Sequence, residues 1–80
     1  MEEKEIREKV IAVIKDKLGV EQDKILDTAK YVEDLGADSL TLVDIAMALE
    51  DEFGMKIPDE DIEKITTFGN TIEYIKEHLK

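Results

Sequence analysis

Apolar residues in this chain recur at intervals of three and four, and nowhere do they sustain the every-second-residue alternation of a strand. Between residues 3 and 18, Ile6, Val10, Val13, Ile14 and Leu18 keep that spacing with Glu and Lys between them, which predicts an amphipathic helix stopped by Gly19. A second run extends from about Ser39 to Phe53 and ends at Gly54. A third places Phe68, Ile72, Ile75 and Leu79 on one stripe. Before that last run, Pro58 followed by Asp59-Glu60-Asp61 predicts a short helix with acids at its positive end, burying Ile62 and Ile65. Thr66 and Thr67 then interrupt the pattern, with Thr67 the expected N-cap of the last helix and Asn70 a rival cap.

The expected fold is therefore all-α: a four-helix bundle with a short third helix and a long ordered loop between helices 1 and 2. Residues 19 to 38 form that loop. A connection of about twenty residues is unusual in a compact domain unless it carries function or is tied down. Val20, Ile25, Leu26, Tyr31, Val32 and Leu35 are the side chains expected to tack it onto the core. Eighty residues make a single domain, 1-80, and without a cysteine its stability must come from the core alone. The N-terminus has no apolar stretch of signal length and no run approaches a membrane span, so a cytoplasmic monomer is expected.

Charge is unevenly spread. Residues 38 to 63 hold nine acids against one base, Lys56, while the rest of the chain is nearly neutral and the whole carries −10. Such a field repels nucleic acid and anionic membranes and steers basic protein surfaces toward this segment. The helix within it has two apolar sides. At about 100° per residue, Leu42, Ile45, Ala46, Leu49 and Phe53 gather on one side, and Leu40, Val43 and Met47 on the other, bordered by Asp44 and Asp51. In a small bundle one side faces the core, so the second is expected to be a partner surface with Met47 as an adaptable contact.

The same helix begins at Leu35-Gly36-Ala37-Asp38-Ser39-Leu40, which contains the only serine of the chain. Asp38 is placed as the N-cap, leaving the Ser39 side chain free in the first turn, where unpaired N–H groups favour an attached anion. Catalytic chemistry is missing around it. Gly36-Ala37-Asp38-Ser39-Leu40 is not a nucleophile elbow, and the only histidine, His78, lies at the far end of the last helix. Asp59, Asp61 and Glu63 are followed by Lys64 rather than by the glycine and closing acid of a calcium loop, so no metal site is expected. A protein of this kind reads as a substrate of other enzymes, with no catalytic residues of its own.

Val32-Glu33-Asp34-Leu35-Gly36-Ala37-Asp38-Ser39-Leu40, then Met47-Ala48-Leu49-Glu50-Asp51-Glu52-Phe53, then Ile57-Pro58-Asp59-Glu60 with Glu63-Lys64-Ile65-Thr66-Thr67, in this order and spacing, resemble the acyl carrier proteins of dissociated (type II) fatty acid synthesis. The resemblance covers nearly the whole chain. It implies 4′-phosphopantetheine, derived from coenzyme A, esterified to Ser39, with Asp38 helping to present it and acyl chains held on its thiol as thioesters. It implies that Leu40, Val43, Asp44, Met47 and Asp51 meet basic patches of a phosphopantetheinyl transferase and of fatty acid synthesis enzymes. It further implies that Ile45, Ala46, Leu49, Ile62 and Phe53 line an interior able to receive the chain. One position departs from the family: the residue two after the serine is commonly acidic and here is Thr41, which removes one charge from the partner contacts. An unmodified acidic helical interaction module, or a carrier of a polyketide or specialised lipid pathway, are the alternatives.

Overall fold

The computed structural model describes residues 2–79. Three α-helices, α1 (Glu3–Leu18), α2 (Ser39–Phe53) and α3 (Phe68–His78), are joined by a short 3-10 helix at Asp59–Lys64, and a smaller 3-10 turn at Gln22–Lys24 sits in the long loop. This is the expected all-α bundle with a short member between α2 and α3. The described residues contain no strand, only an isolated antiparallel bridge between Lys30 and Thr67.

The apolar periodicity explains which faces meet. Ile6, Val10 and Ile14 of α1 are buried against Ile45, Ala46 and Leu49 of α2 and against Phe68, Ile72 and Ile75 of α3, in one core cluster. Val13 and Leu18 pack at its edge. Acids in the first turn of α1 (Glu3, Glu5) and lysines in its last (Lys15, Lys17) complement the helix dipole. Thr67 rather than Asn70 caps α3, its hydroxyl accepting the Asn70 N–H at 3.1 Å. The stripe of α3 is wider than its apolar residues alone announce, because Tyr74 and the polar Thr71 are buried with it.

The long loop is ordered, though not by all the residues expected to hold it. Ile25, Tyr31 and Leu35 are buried and Val20 packs at the edge, together with Ala29 and Ala37, which the sequence pattern did not single out. Leu26 and Val32 point outward, at 60% and 51% exposure. Tight turns account for this. The Ala29 N–H bonds back to the Leu26 carbonyl at 2.9 Å, and the Asp34 and Leu35 N–H groups both reach the Lys30 carbonyl, so Ile25 and Tyr31 turn inward and their neighbours outward.

Backbone bonds then fix the loop across the start of α3. Tyr31 N–H reaches Thr66 O at 3.0 Å, Phe68 N–H reaches Ala29 O at 3.2 Å, and Gly69 N–H reaches Asp27 O at 2.9 Å. Any side chain at position 69 would put its Cβ about 2.8 Å from that same Asp27 carbonyl, so the close approach needs glycine. Arg7 of α1 closes the knot with both guanidinium NH2 groups on the Asp27 carboxylate, at 2.8 and 3.0 Å.

Candidate functional site

The loop ends where α2 begins, and its last residues determine how Ser39 is held. Tyr31, fully buried, accepts the Ala37 N–H on its carbonyl at 2.8 Å, and Gly36 turns the chain with a φ of 76°, in the left-handed region that favours glycine. Ala37 is thereby pressed inward at 5% exposure. Asp38 follows in an extended conformation as the N-cap of α2, its Oδ1 accepting the Thr41 N–H at 2.9 Å. Ser39 is the first helical residue and is exposed, and its side chain is not needed for the cap.

Thr41 does more than remove a charge. Its hydroxyl gives Asp38 Oδ1 a second donor at 2.9 Å. The Thr41 N–H first, and the Thr41 hydroxyl after it, hold the Asp38 carboxyl below its ordinary range. A carboxylate at position 41 could make no such donation. The positive end of α2 is thus already partly taken up by Asp38.

Beside Ser39 lies an open, mostly apolar cleft of about 630 Å³, lined by Val32, Ala37, Asp38, Ser39, Leu42, Val43, Asp59, Ile62 and Glu63. Its volume falls in the range of small-molecule sites. One wall is the N-terminal half of α2; the other is the 3-10 helix Asp59–Lys64. Of the five residues expected to line an interior, only Ile62 borders this cleft. Ile45, Ala46, Leu49 and Phe53 are at most 8% exposed and belong to the core cluster, and none of them borders this cleft. The apolar lining comes instead from Val32, Ala37, Leu42 and Val43. Val32 and Ala37 sit in a loop without periodicity, which gave no signal that they border a cleft.

The outer face of α2 is as the sequence suggested. Leu40 is 77% exposed, Met47 58% and Val43 39%, and Asp44 and Asp51 stand exposed beside them. Neither acid has an ion-pair partner among the described residues, whereas Glu52 on the same helix is paired with Lys9 of α1 at 3.7 Å. His78 is far along the chain and already engaged. Its ring stacks on Tyr74 at 4.0 Å, and Nδ1 lies 2.8 Å from the Tyr74 carbonyl, which can only accept, so Nδ1 carries the proton.

A family model described as the phosphopantetheine attachment site matches residues 8–75 of this chain. The chain belongs to the phosphopantetheine attachment site family. Among solved structures it is similar to an acyl carrier protein from Enterococcus faecalis described for its high thermal stability. The two share 38% identity with a TM-score of 0.83, over 98% of this chain and 99% of that one. The family match and this likeness make the protein an acyl carrier of the type II kind, which bears 4′-phosphopantetheine covalently and holds its cargo without transforming it. The surroundings of Ser39 suit that group: an exposed hydroxyl free of the cap, at a helix start, on the rim of an apolar cleft. When bound, the group supplies a thiol able to hold acyl chains as thioesters. No helix of the described residues is long and apolar enough to cross a membrane.

Proposed function

We propose that Ser39 is the attachment point and that the protein shuttles growing acyl chains between the enzymes of fatty acid synthesis as one carrier domain, 1-80. The observation that carries this reading is the exposed Ser39 hydroxyl in the first turn of α2, with Asp38 acting as the cap in its place. On modification, Ser39 Oγ attacks the phosphorus of coenzyme A that bears the pantetheine. The new O–P bond forms as the diphosphate bond breaks, the serine proton passes to a base of the transferase, and 3′-phosphoadenosine 5′-phosphate leaves. Asp38 orients the turn; its lowered pKa and its donors from Thr41 keep it an anion and make it a poor base for Ser39.

The unpaired Asp44 and Asp51, alternating with Leu40, Val43 and Met47, support docking on basic patches of the phosphopantetheinyl transferase and of the synthesis enzymes. The cleft between α2 and Asp59–Lys64 supports a resting place for the chain, with Leu42 and Ile62 giving it apolar surface.

Incubation of the parent and of Ser39→Ala with coenzyme A and a phosphopantetheinyl transferase, followed by intact mass, tests the attachment. The parent should gain the mass of phosphopantetheine and the variant should not, with unchanged helical content. A parent that stays unmodified would favour the unmodified interaction module, and a modified Ser39→Ala would place the attachment elsewhere.

A further inference from the structure

The two walls of the cleft are held very differently. α2 is anchored by four buried residues, Ile45, Ala46, Leu49 and Phe53, whereas the 3-10 helix Asp59–Lys64 has none. Ile57 and Ile65 pin the ends of this second wall, at 5% and 0% exposure, and the Ile57 N–H reaches Glu50 Oε2 of α2 at 2.7 Å. Between those pins, one side-chain hydrogen bond among the described residues ties the segment to another element: the Tyr74 hydroxyl of α3 donates to Asp61 Oδ2. The Lys64–Asp61 ion pair at 3.3 Å stays within the segment and anchors it to nothing.

Tyr74 is suited to this. Its ring is 7% exposed and braced by the stack with His78. Burial first, and the Asp61 carboxylate after it, push its phenol up to about 12, so it remains a donor at neutral pH. Asp61 lies two residues from Asp59 and from Glu63 and next to Ile62, and all three line the cleft. Ile62 packs part-buried against the core. A wall held by its ends, by one apolar contact and by one side-chain hydrogen bond loses its only polar tie to another element among the described residues when that bond is cut.

We propose that the Tyr74–Asp61 hydrogen bond is a latch that sets the width of the cleft, which makes Tyr74 a positioning residue for the acyl chain held there. The proposal rests on the reading of the cleft as the chain's resting place. It is tested on the full chain loaded with octanoyl- or acetyl-phosphopantetheine from the corresponding coenzyme A thioesters, by following thioester cleavage by hydroxylamine through intact mass. Tyr74→Phe keeps the ring and removes the donor. Asp61→Ala removes the acceptor at a position outside the core, so it decides the matter should Tyr74→Phe fold poorly. Asp61→Asn retains an oxygen that can accept.

In the parent the octanoyl thioester should be cleaved more slowly than the acetyl. In Tyr74→Phe and Asp61→Ala the octanoyl rate should rise about threefold to tenfold, the span of one net hydrogen bond. The acetyl rate should not change, and Asp61→Asn should stay near the parent. Parental octanoyl protection in both variants, or equal acceleration of the two thioesters, would overturn the latch while leaving the cleft. A parent that protects octanoyl no better than acetyl would overturn the cleft reading, and the latch with it.

Discussion

Among the described residues Thr71 is the one buried polar residue outside the aromatics, and its surroundings allow a stability experiment with a definite sign. It is 0% exposed, its Oγ1 lies 2.6 Å from the hydroxyl of the equally buried Tyr31, and it donates to the Thr67 carbonyl at 2.8 Å. A threonine hydroxyl has a single proton. Since that proton goes to Thr67, the Tyr31 hydroxyl must be the donor to Thr71. Thr71→Val, nearly isosteric, therefore leaves a phenol proton buried without an acceptor, which costs about 1–3 kcal/mol. Tyr31→Phe instead removes the donor and leaves Thr71 satisfied by Thr67, so its cost should be about 0.5–1.5 kcal/mol. Combined, the two changes remove both partners, and the double variant should be more stable than Thr71→Val alone. At roughly 4–8 °C per kcal/mol for a domain of this size, thermal melts of the four proteins resolve the difference. Each change is small enough to leave a two-state transition to measure. A double variant that melts lower than Thr71→Val would show that the phenol is not stranded and that the inferred direction of the bond is wrong.

The two faces of α2 should respond in opposite ways. Leu49→Ala, at a 0% exposed position, should cost about 2–5 kcal/mol and leave loading of the folded fraction near normal. Met47→Ala should stay within about 0.5 kcal/mol yet weaken recognition by the transferase; a Met47→Ala that unfolds would mean the outer face is packed. Reversing Asp44 and Asp51 to Lys should slow loading mainly through the on-rate, and the parent should lose its advantage as salt is raised. Salt-independent kinetics, equal in both proteins, would rule out an acidic docking face. Alkali should destabilise the fold through its two tyrosines, both raised above their ordinary value of 10.0. Above pH 10 the unfolded state releases phenolic protons that the folded state retains. The tyrosine contribution is therefore complete below that pH and is lost as pH rises through the folded values, that of Tyr74 being about 12. Melts across this range should fall, and Tyr31→Phe should flatten the decline.

How far the sequence could be read depended on how local the cause was. The bounds of α1, the start of α2 at Ser39 and the Thr67 cap follow from periodicity and capping, which involve residues within one or two turns, and the structure agrees with each. The exposed face of Leu40, Val43 and Met47 was legible for the same reason, because it follows from angles within one helix. What could not be read joins distant segments. Tyr31 with Thr71, Asp27 with Gly69 and Arg7, and Tyr74 with Asp61 are all pairings made by the tertiary fold. In a sequence pattern Thr71 looks like a solvent-side residue, and Leu26 looks like a core one. The cleft beside Ser39 was not legible because periodicity tells which side of a helix is apolar, and says nothing of where packing leaves space.

The knot between the loop and the start of α3 also bears on the order in which the chain becomes competent. A ribosome delivers Ser39 well before Thr66, Phe68 and Gly69, the residues on which residues 27 to 31 close. The serine therefore leaves the exit tunnel ahead of the contacts that display it, and about 1.5 to 6 seconds separate the two at elongation rates of roughly 5–20 residues per second, taking the thirty residues from Ser39 to Gly69. Modification at Ser39 should then report completed folding rather than the mere presence of the serine. Released chains truncated before residue 66 are expected to resist the transferase, and chains that include Thr66, Phe68, Gly69 and the rest of α3 to accept it.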